Sequence, residues 1–122
     1  MTTPHDARAR GEAIERIAAS WLVKRGLKLL ACNQHAKGGE LDLVMQDGDT
    51  LVFVEVKHRT TSRHGHPLET VTLAKQRRLV KAALFYLQRN RLSCPCRFDV
   101  LAVTGQSPAF AFHWVQGAFE AF

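Results

Sequence analysis

Residues 38–57 read GGELDLVMQDGDTLVFVEVK and place Glu40, Asp42, Glu55 and Lys57 on two apolar runs joined by a Gly/Asp turn. Side chains two apart on a strand share a face, so Glu40 goes with Asp42 and Glu55 with Lys57. A two-residue hairpin at Asp47-Gly48 makes paired residue numbers sum to 95, and one at Gly48-Asp49 makes them sum to 97. Both sums are odd, so even positions on the first strand face odd positions on the second. All four polar groups are then expected on one side of the sheet, with Leu41, Leu43, Val52, Val54 and Val56 on the other. A three-residue loop without a compensating bulge would split the cluster between faces.

Carboxylates held a few ångströms apart repel, and such a cluster is tolerated best around a cation. Oxygen donors without histidine or thiolate favour Mg2+ or Mn2+ over zinc, and magnesium takes one or two protein carboxylates plus water and substrate phosphate. Held by Asp42 and Glu55, such an ion would polarise a phosphodiester oxygen and lower the pKa of an attacking water. Lys57 would hold the nucleophile or neutralise charge developing on the phosphate, with Glu40 as a supporting acid. The alternative is that Glu55 and Lys57 form an ion pair on a solvated face. Against it stand the shared parity with Glu40 and Asp42 and the run LVFVEV, which is too apolar for a solvated strand.

The elements that must position these groups follow from periodicity. Residues 1 to about 8 read as an arm. A helix from there to Arg25 is expected, because Ile14, Ile17, Ala18, Trp21 and Leu22 recur at helical spacing and Gly26 supplies a stop. Glu15 lies at the margin of that stripe, where solvent and the acid cluster are both within its reach. Residues 27–33 read as the first strand and the site hairpin follows. HRTTSRHGHPLE is loop by composition, and its His58, His64 and His66 lack the setting of metal ligands. A second helix is expected from Thr72 to Asn90, with Leu73, Val80, Ala83, Leu84 and Leu87 as its buried stripe. Its first half carries Lys75, Arg77, Arg78 and Lys81, where positive charge opposes the helix dipole. With Arg63 in the preceding loop, these bases are candidates for phosphate contacts. RFDVLAVT and FAFHWV then read as two strands around the turn at 105–108, completing the order αβββαββ.

Composition agrees. The chain has 122 residues, enough for one domain with a modest core. Its net charge of +6 and pI near 9.7 favour a polyanionic partner such as nucleic acid. Cys32, Cys94 and Cys96 have no zinc-like spacing and read as ordinary thiols of a reducing, cytoplasmic setting. No apolar stretch approaches membrane-spanning length, so no membrane partner is expected.

The segment resembles the PD-(D/E)xK phosphodiesterase signature, with Asp42 as the first acid and Glu55-Val56-Lys57 as the E-x-K. More closely, the chain is similar to the YraN family of small bacterial endonuclease-like proteins. The similarity runs through Gly11 and Glu15, Trp21-Leu22, Gly26, Asn33, GGELDL, LVFVEVKHR, LAKQRRL and CRFDVLAV. The tail departs, since Gly117 stands where the family usually has asparagine, and nothing functional is carried over there. The resemblance implies a restriction-endonuclease-like core, an α/β (α+β) fold with a mixed sheet flanked by helices. It implies Mg2+-dependent cleavage of DNA, with repair or recombination as a setting, and it draws Glu15 into the acid cluster. Lys75 and Gln76 fall in the element after the catalytic strands, as secondary-site or backbone-contact groups. A silent nucleic-acid-binding module acting through partners is the alternative, and a homodimer is a further assembly to consider.

Overall fold

The computed structural model describes the backbone of residues 4–36, 38–60 and 71–120, with side chains from Gly11 onward. The elements are α1 (Pro4–Val23), β1 (Lys28–Ala36), β2 (Gly39–Asp47), β3 (Thr50–Arg59), α2 (Leu73–Arg89), β4 (Cys96–Gln106) and β5 (Ala109–Phe119). Their order is the expected αβββαββ. One five-stranded sheet runs β1-β2-β3-β4-β5, antiparallel except for the parallel β3–β4 pair. Parallel neighbours need a crossover connection, and α2 lies in it.

The two helices cover opposite faces. Ala18, Ala19 and Leu22 of α1 pack on Leu43, Met45, Val52, Val54, Leu101 and Val103. Leu79, Ala82 and Ala83 of α2 pack on Leu41, Val44, Leu51, Phe53 and Phe98. The helix starts at Pro4, so residues 4–8, expected as an arm, carry helical backbone; proline suits a first helical position because its missing N–H has no partner there anyway. At the other end Gly26 takes φ +102°, Leu27 N–H reaches Leu22 O at 3.2 Å, and Gly26 N–H reaches Val23 O at 3.0 Å. This pair of bonds closes the helix, and the Leu22 and Leu27 side chains meet in the core beside it.

α2 is capped by Thr72, whose Oγ1 accepts from Lys75 N–H at 3.2 Å. Its buried stripe differs from the expected one. Leu73 is 61% exposed and Leu84 49%, while Leu79 and Ala82 are buried. The helix is apolar almost all round from Leu79 to Leu87, so hydrophobicity alone leaves its rotation open. The inward line runs through Lys75, Leu79, Ala82 and Tyr86, fixed by an ion pair at one end and the Tyr86–Phe53 ring contact at the other.

An ionic knot centred on buried Asp99 ties β4 to β5 and to the β2–β3 turn. Asp99 is 1% exposed and accepts from Arg97 Nε (2.9 Å), Arg97 Nη2 (3.1 Å), Trp114 Nε1 (2.9 Å) and Gly117 N–H (3.0 Å). Arg97 also reaches Asp47 at 3.0 Å, beside the β2–β3 turn. The β4–β5 register shifts between Phe98 and Val100, and the Asp99 carboxylate meets the donors that the irregularity leaves over. Asp99→Ala would strand those donors and is expected to destabilise the fold by on the order of 3 kcal/mol, roughly 10 °C in melting temperature. A melting curve within a degree or two of wild type would contradict this.

Candidate functional site

The hairpin adopts the register that sums to 97: Leu43 pairs with Val54 and Asp47 with Thr50. Gly48 alone of the two turn residues has positive φ, +59°, as a II′ turn requires. Val52, Val54 and Val56 face α1, and Glu55 and Lys57 face α2, as parity demands. β2 departs from parity beyond Leu43. Leu41 packs in the α2-side cluster although Leu43 lies on the α1 side.

The cause is local. Regular β2–β3 pairing ends at Leu43–Val54, and the next amide, Val56 N–H, donates to Asp42 Oδ2 at 2.9 Å instead of to a strand carbonyl. On the other side of β2, Asn33 falls between the pairs Cys32–Leu43 and Gln34–Leu41 and sits at φ +50°. Asp42 is therefore the point at which β2 rotates. Its carboxylate lies between the two helices, and the cluster spans the sheet rather than occupying one face.

On the α2 side, Glu55 is 7% exposed and one oxygen, Oε1, receives two ammonium groups, Lys75 at 2.7 Å and Lys57 at 3.3 Å. Lys75, which the sequence offers as a phosphate contact or a secondary-site group, lies inside the acid cluster. The Glu55 pair accounts for a lysine in the first turn of α2, where the dipole disfavours it. Burial, then the Lys75 contact, pull the Lys57 ammonium below its ordinary value, against the attraction of Glu55. Burial pulls hardest on Lys75, but its bond to Glu55, its contact with Lys57 and the charges of Glu55 and Asp42 together outweigh it and leave it above the ordinary value.

On the α1 side, the Asn33 amide nitrogen, oriented by its neighbours, donates to Glu15 Oε2 (2.9 Å), Glu15 Oε1 (3.0 Å) and Glu40 Oε1 (3.2 Å). This amide holds two acids together, and its residue type and place in the resembling segment were the only sequence signals for it. Glu15 is pushed up to about 7 by burial, then by Glu40, Glu12 and Glu55. Asp42 is likewise pushed up to about 7, by burial first and then by Glu55, against the lowering effect of the Val56 amide.

The β1–β2 turn is pinned by glycine. A Cβ on Gly39 would stand 3.3 Å from the Arg78 carbonyl, and Gly38, at φ +102°, lies under the Lys81 alkyl chain. Arg77, Arg78 and Lys81 are exposed on α2. The Gln76 side chain turns back to donate to Val71 O at 3.1 Å. Arg63, with His64 and His66, lies outside the described residues.

Among the described residues no three His, Cys, Asp or Glu groups converge as a ready-made metal cage. The adjacent Asp42 and Glu55 carboxylates offer two hard oxygen donors, the share that magnesium takes from protein. Their fit to a divalent cation is therefore as a partial shell, with Lys75 as the competing positive charge on Glu55.

The model of a family described as "Uncharacterised protein family UPF0102" matches residues 14–103. The chain belongs to the UPF0102 family. It is 62% identical to a UPF0102 protein of Chromohalobacter salexigens over 118 residues, covering 97% of this chain and 96% of that one. UPF0102 proteins of Nitrosococcus oceani (42% identity, 96% of each chain) and Herminiimonas arsenicoxydans (47%, covering 91% and 86%) are similar over nearly the same extent. The matched span takes in the whole acid cluster of this UPF0102 chain. No helix among its described residues is long and apolar enough to cross a membrane.

The raised acids predict a pH dependence. Between the ordinary values, 3.8 for Asp42 and 4.5 for Glu15, and about 7, the folded protein holds protons that the unfolded chain releases. Stability contributed by these protons is complete at low pH and is lost as pH rises toward and through 7. Without divalent metal, the melting temperature should fall between pH 5 and pH 8, and Asp42→Asn should fall less steeply. Identical slopes in wild type and variant would contradict the assignment.

Proposed function

We propose that this UPF0102 protein is a divalent-metal-dependent endonuclease that hydrolyses DNA phosphodiester bonds, in the manner of the PD-(D/E)xK enzymes. The observation that carries the reading is the Asp42 carboxylate beside Glu55, with Lys57 on Glu55, at the place where β2 and β3 part. Asp42 and Glu55 would hold Mg2+ or Mn2+, which when bound supplies a Lewis acid and a more acidic water. The chain's own groups do the rest. The Val56 amide orients Asp42, and the Lys57 ammonium stands ready to neutralise charge on a phosphate oxygen or to hold the attacking water. Asn33 keeps Glu15 and Glu40 beside Asp42, where they can accept a proton or order water. Arg77, Arg78 and Lys81 offer exposed positive charge for the flanking backbone, and the net charge of +6 serves the same partner.

One observation favours a second reading, a nucleic-acid-binding module without catalysis. Glu55 already carries two ammonium groups, so its charge is met within the fold. Cleavage decides between them. Linear, branched and single-stranded DNA and an RNA strand would be incubated with Mg2+, Mn2+ or EDTA. Wild type is expected to cut with metal only, and Asp42→Asn, Glu55→Gln and Lys57→Ala should each lose on the order of a hundredfold or more while their circular dichroism stays native. Cutting that persists in EDTA, or in the Asp42/Glu55 double variant, would overturn the metal mechanism.

A further inference from the structure

A groove of about 860 Å³ opens on Asp42 and Glu15 and runs between α1 and the β4–β5 turn, lined by Ile17, His58 and Phe110. A second cavity of about 350 Å³ shares Ile17 and continues along α1, lined by Arg16, Lys24, Trp21 and Phe112. The aromatic rings form a row: His58 to Phe110 at 6.2 Å, Phe110 to Phe112 at 6.5 Å, and Phe112 stacked on Trp21 at 5.0 Å. Trp21 is closed on both sides, by Phe112 and by the Arg25 guanidinium 3.4 Å from its ring centroid, so it braces the row. Phe110 is half-buried at the open end, and His58 is held beside it by donating Nε2–H to the Gly105 carbonyl at 2.9 Å.

We propose that this groove is a track for single-stranded nucleic acid, feeding an unpaired strand past Phe110 to the acid cluster. The inference rests on the nucleic-acid reading of that cluster and names the form of the substrate. Two independent features meet here. An aromatic face next to the site takes a base without regard to sequence, and only an unpaired base can offer its own face to it. Arg16 and Lys24, exposed at the far end, supply the positive charge that the backbone of such a strand requires. A peptide would need neither the stacking end nor a carboxylate terminus to the groove. None of these residues belongs to the basic face of α2, so the track is a separate surface.

The test is fluorescence anisotropy of a labelled oligothymidylate and of a blunt DNA duplex of equal length, over a salt series in Ca2+ to hold cleavage off. Wild type should bind the single strand more tightly than the duplex. Phe110→Leu keeps an apolar side chain for packing and should weaken single-strand binding roughly tenfold, leaving the duplex unaffected. Arg16→Ala with Lys24→Ala removes two phosphate contacts and should flatten the single-strand salt slope by about 1.4 units, at ~0.7 for each. Melting curves establish that both variants are folded. Variants that bind as wild type, a wild type that ignores the single strand, or equal losses on duplex would each overturn the track. Loss of self-association in Phe110→Leu, with no change in strand binding, would give the groove to a second copy of the chain. Cleavage in Mg2+ is scored separately. Strand binding through Phe110 without cleavage removes the nuclease and keeps the track; cleavage with unaffected variants does the reverse.

Discussion

Where β2 leaves β3, the Val56 amide has no strand carbonyl to meet, and the Asp42 carboxylate accepts from it at 2.9 Å. A partly buried amide without an acceptor costs about 1–3 kcal/mol, so this bond fixes where the strands separate. It also fixes what else can be there. With one oxygen held by Val56, Asp42 is kept beside Glu55, whose charge is then balanced from the α2 side by Lys57 and Lys75. On the α1 side, Asn33 draws Glu15 and Glu40 together. Both helices thus meet the cluster around this carboxylate, α1 through Glu15 on Asn33 and α2 through Lys75 on Glu55.

Repulsion within the cluster is borne by the rest of the fold. Glu15 and Asp42 are both pushed up to about 7, by burial first and then by neighbouring carboxylates, which is the signature of acids held at the expense of stability. The rest of the fold supplies strong ties: the Asp99–Arg97–Asp47 knot, the glycine closure of α1, and two apolar layers. Tension at a site and satisfied bonding around it is a common division between a site and its scaffold.

Much of this was legible in the sequence. Parity and a two-residue turn were enough to put Glu55 and Lys57 on one face and to set the register as far as Leu43–Val54, because strand periodicity and hairpin register are local properties; Asp42 meets Glu55 where that regularity ends. The order of elements and the helix stop at Gly26 were legible for the same reason, whereas Thr72, read as the first residue of α2, is its cap. What escaped depends on contacts between distant segments. The rotation of β2, which sends Leu41 to the α2 side, arises from Asn33 in a left-handed conformation and from a side chain replacing a backbone acceptor. The rotation of α2, which exposes Leu73 and Leu84 and brings Lys75 inward, is set by Glu55 on another element. Asp99 in CRFDVLAV reads as an ordinary strand residue until Trp114 and Gly117 are placed beside it.

The central proposal is that the Asp42–Glu55 pair is a cation seat. A divalent ion that binds the folded protein alone must stabilise it by mass action, about 2.7 kcal/mol at a hundred times its dissociation constant. The direct measurement is the melting temperature during titration with Mn2+ or Mg2+ at pH 8, where both acids are ionised. Wild type is predicted to gain several degrees with saturation, and Asp42→Ala to gain none. Equal shifts in the two proteins, or no shift in wild type, would contradict it.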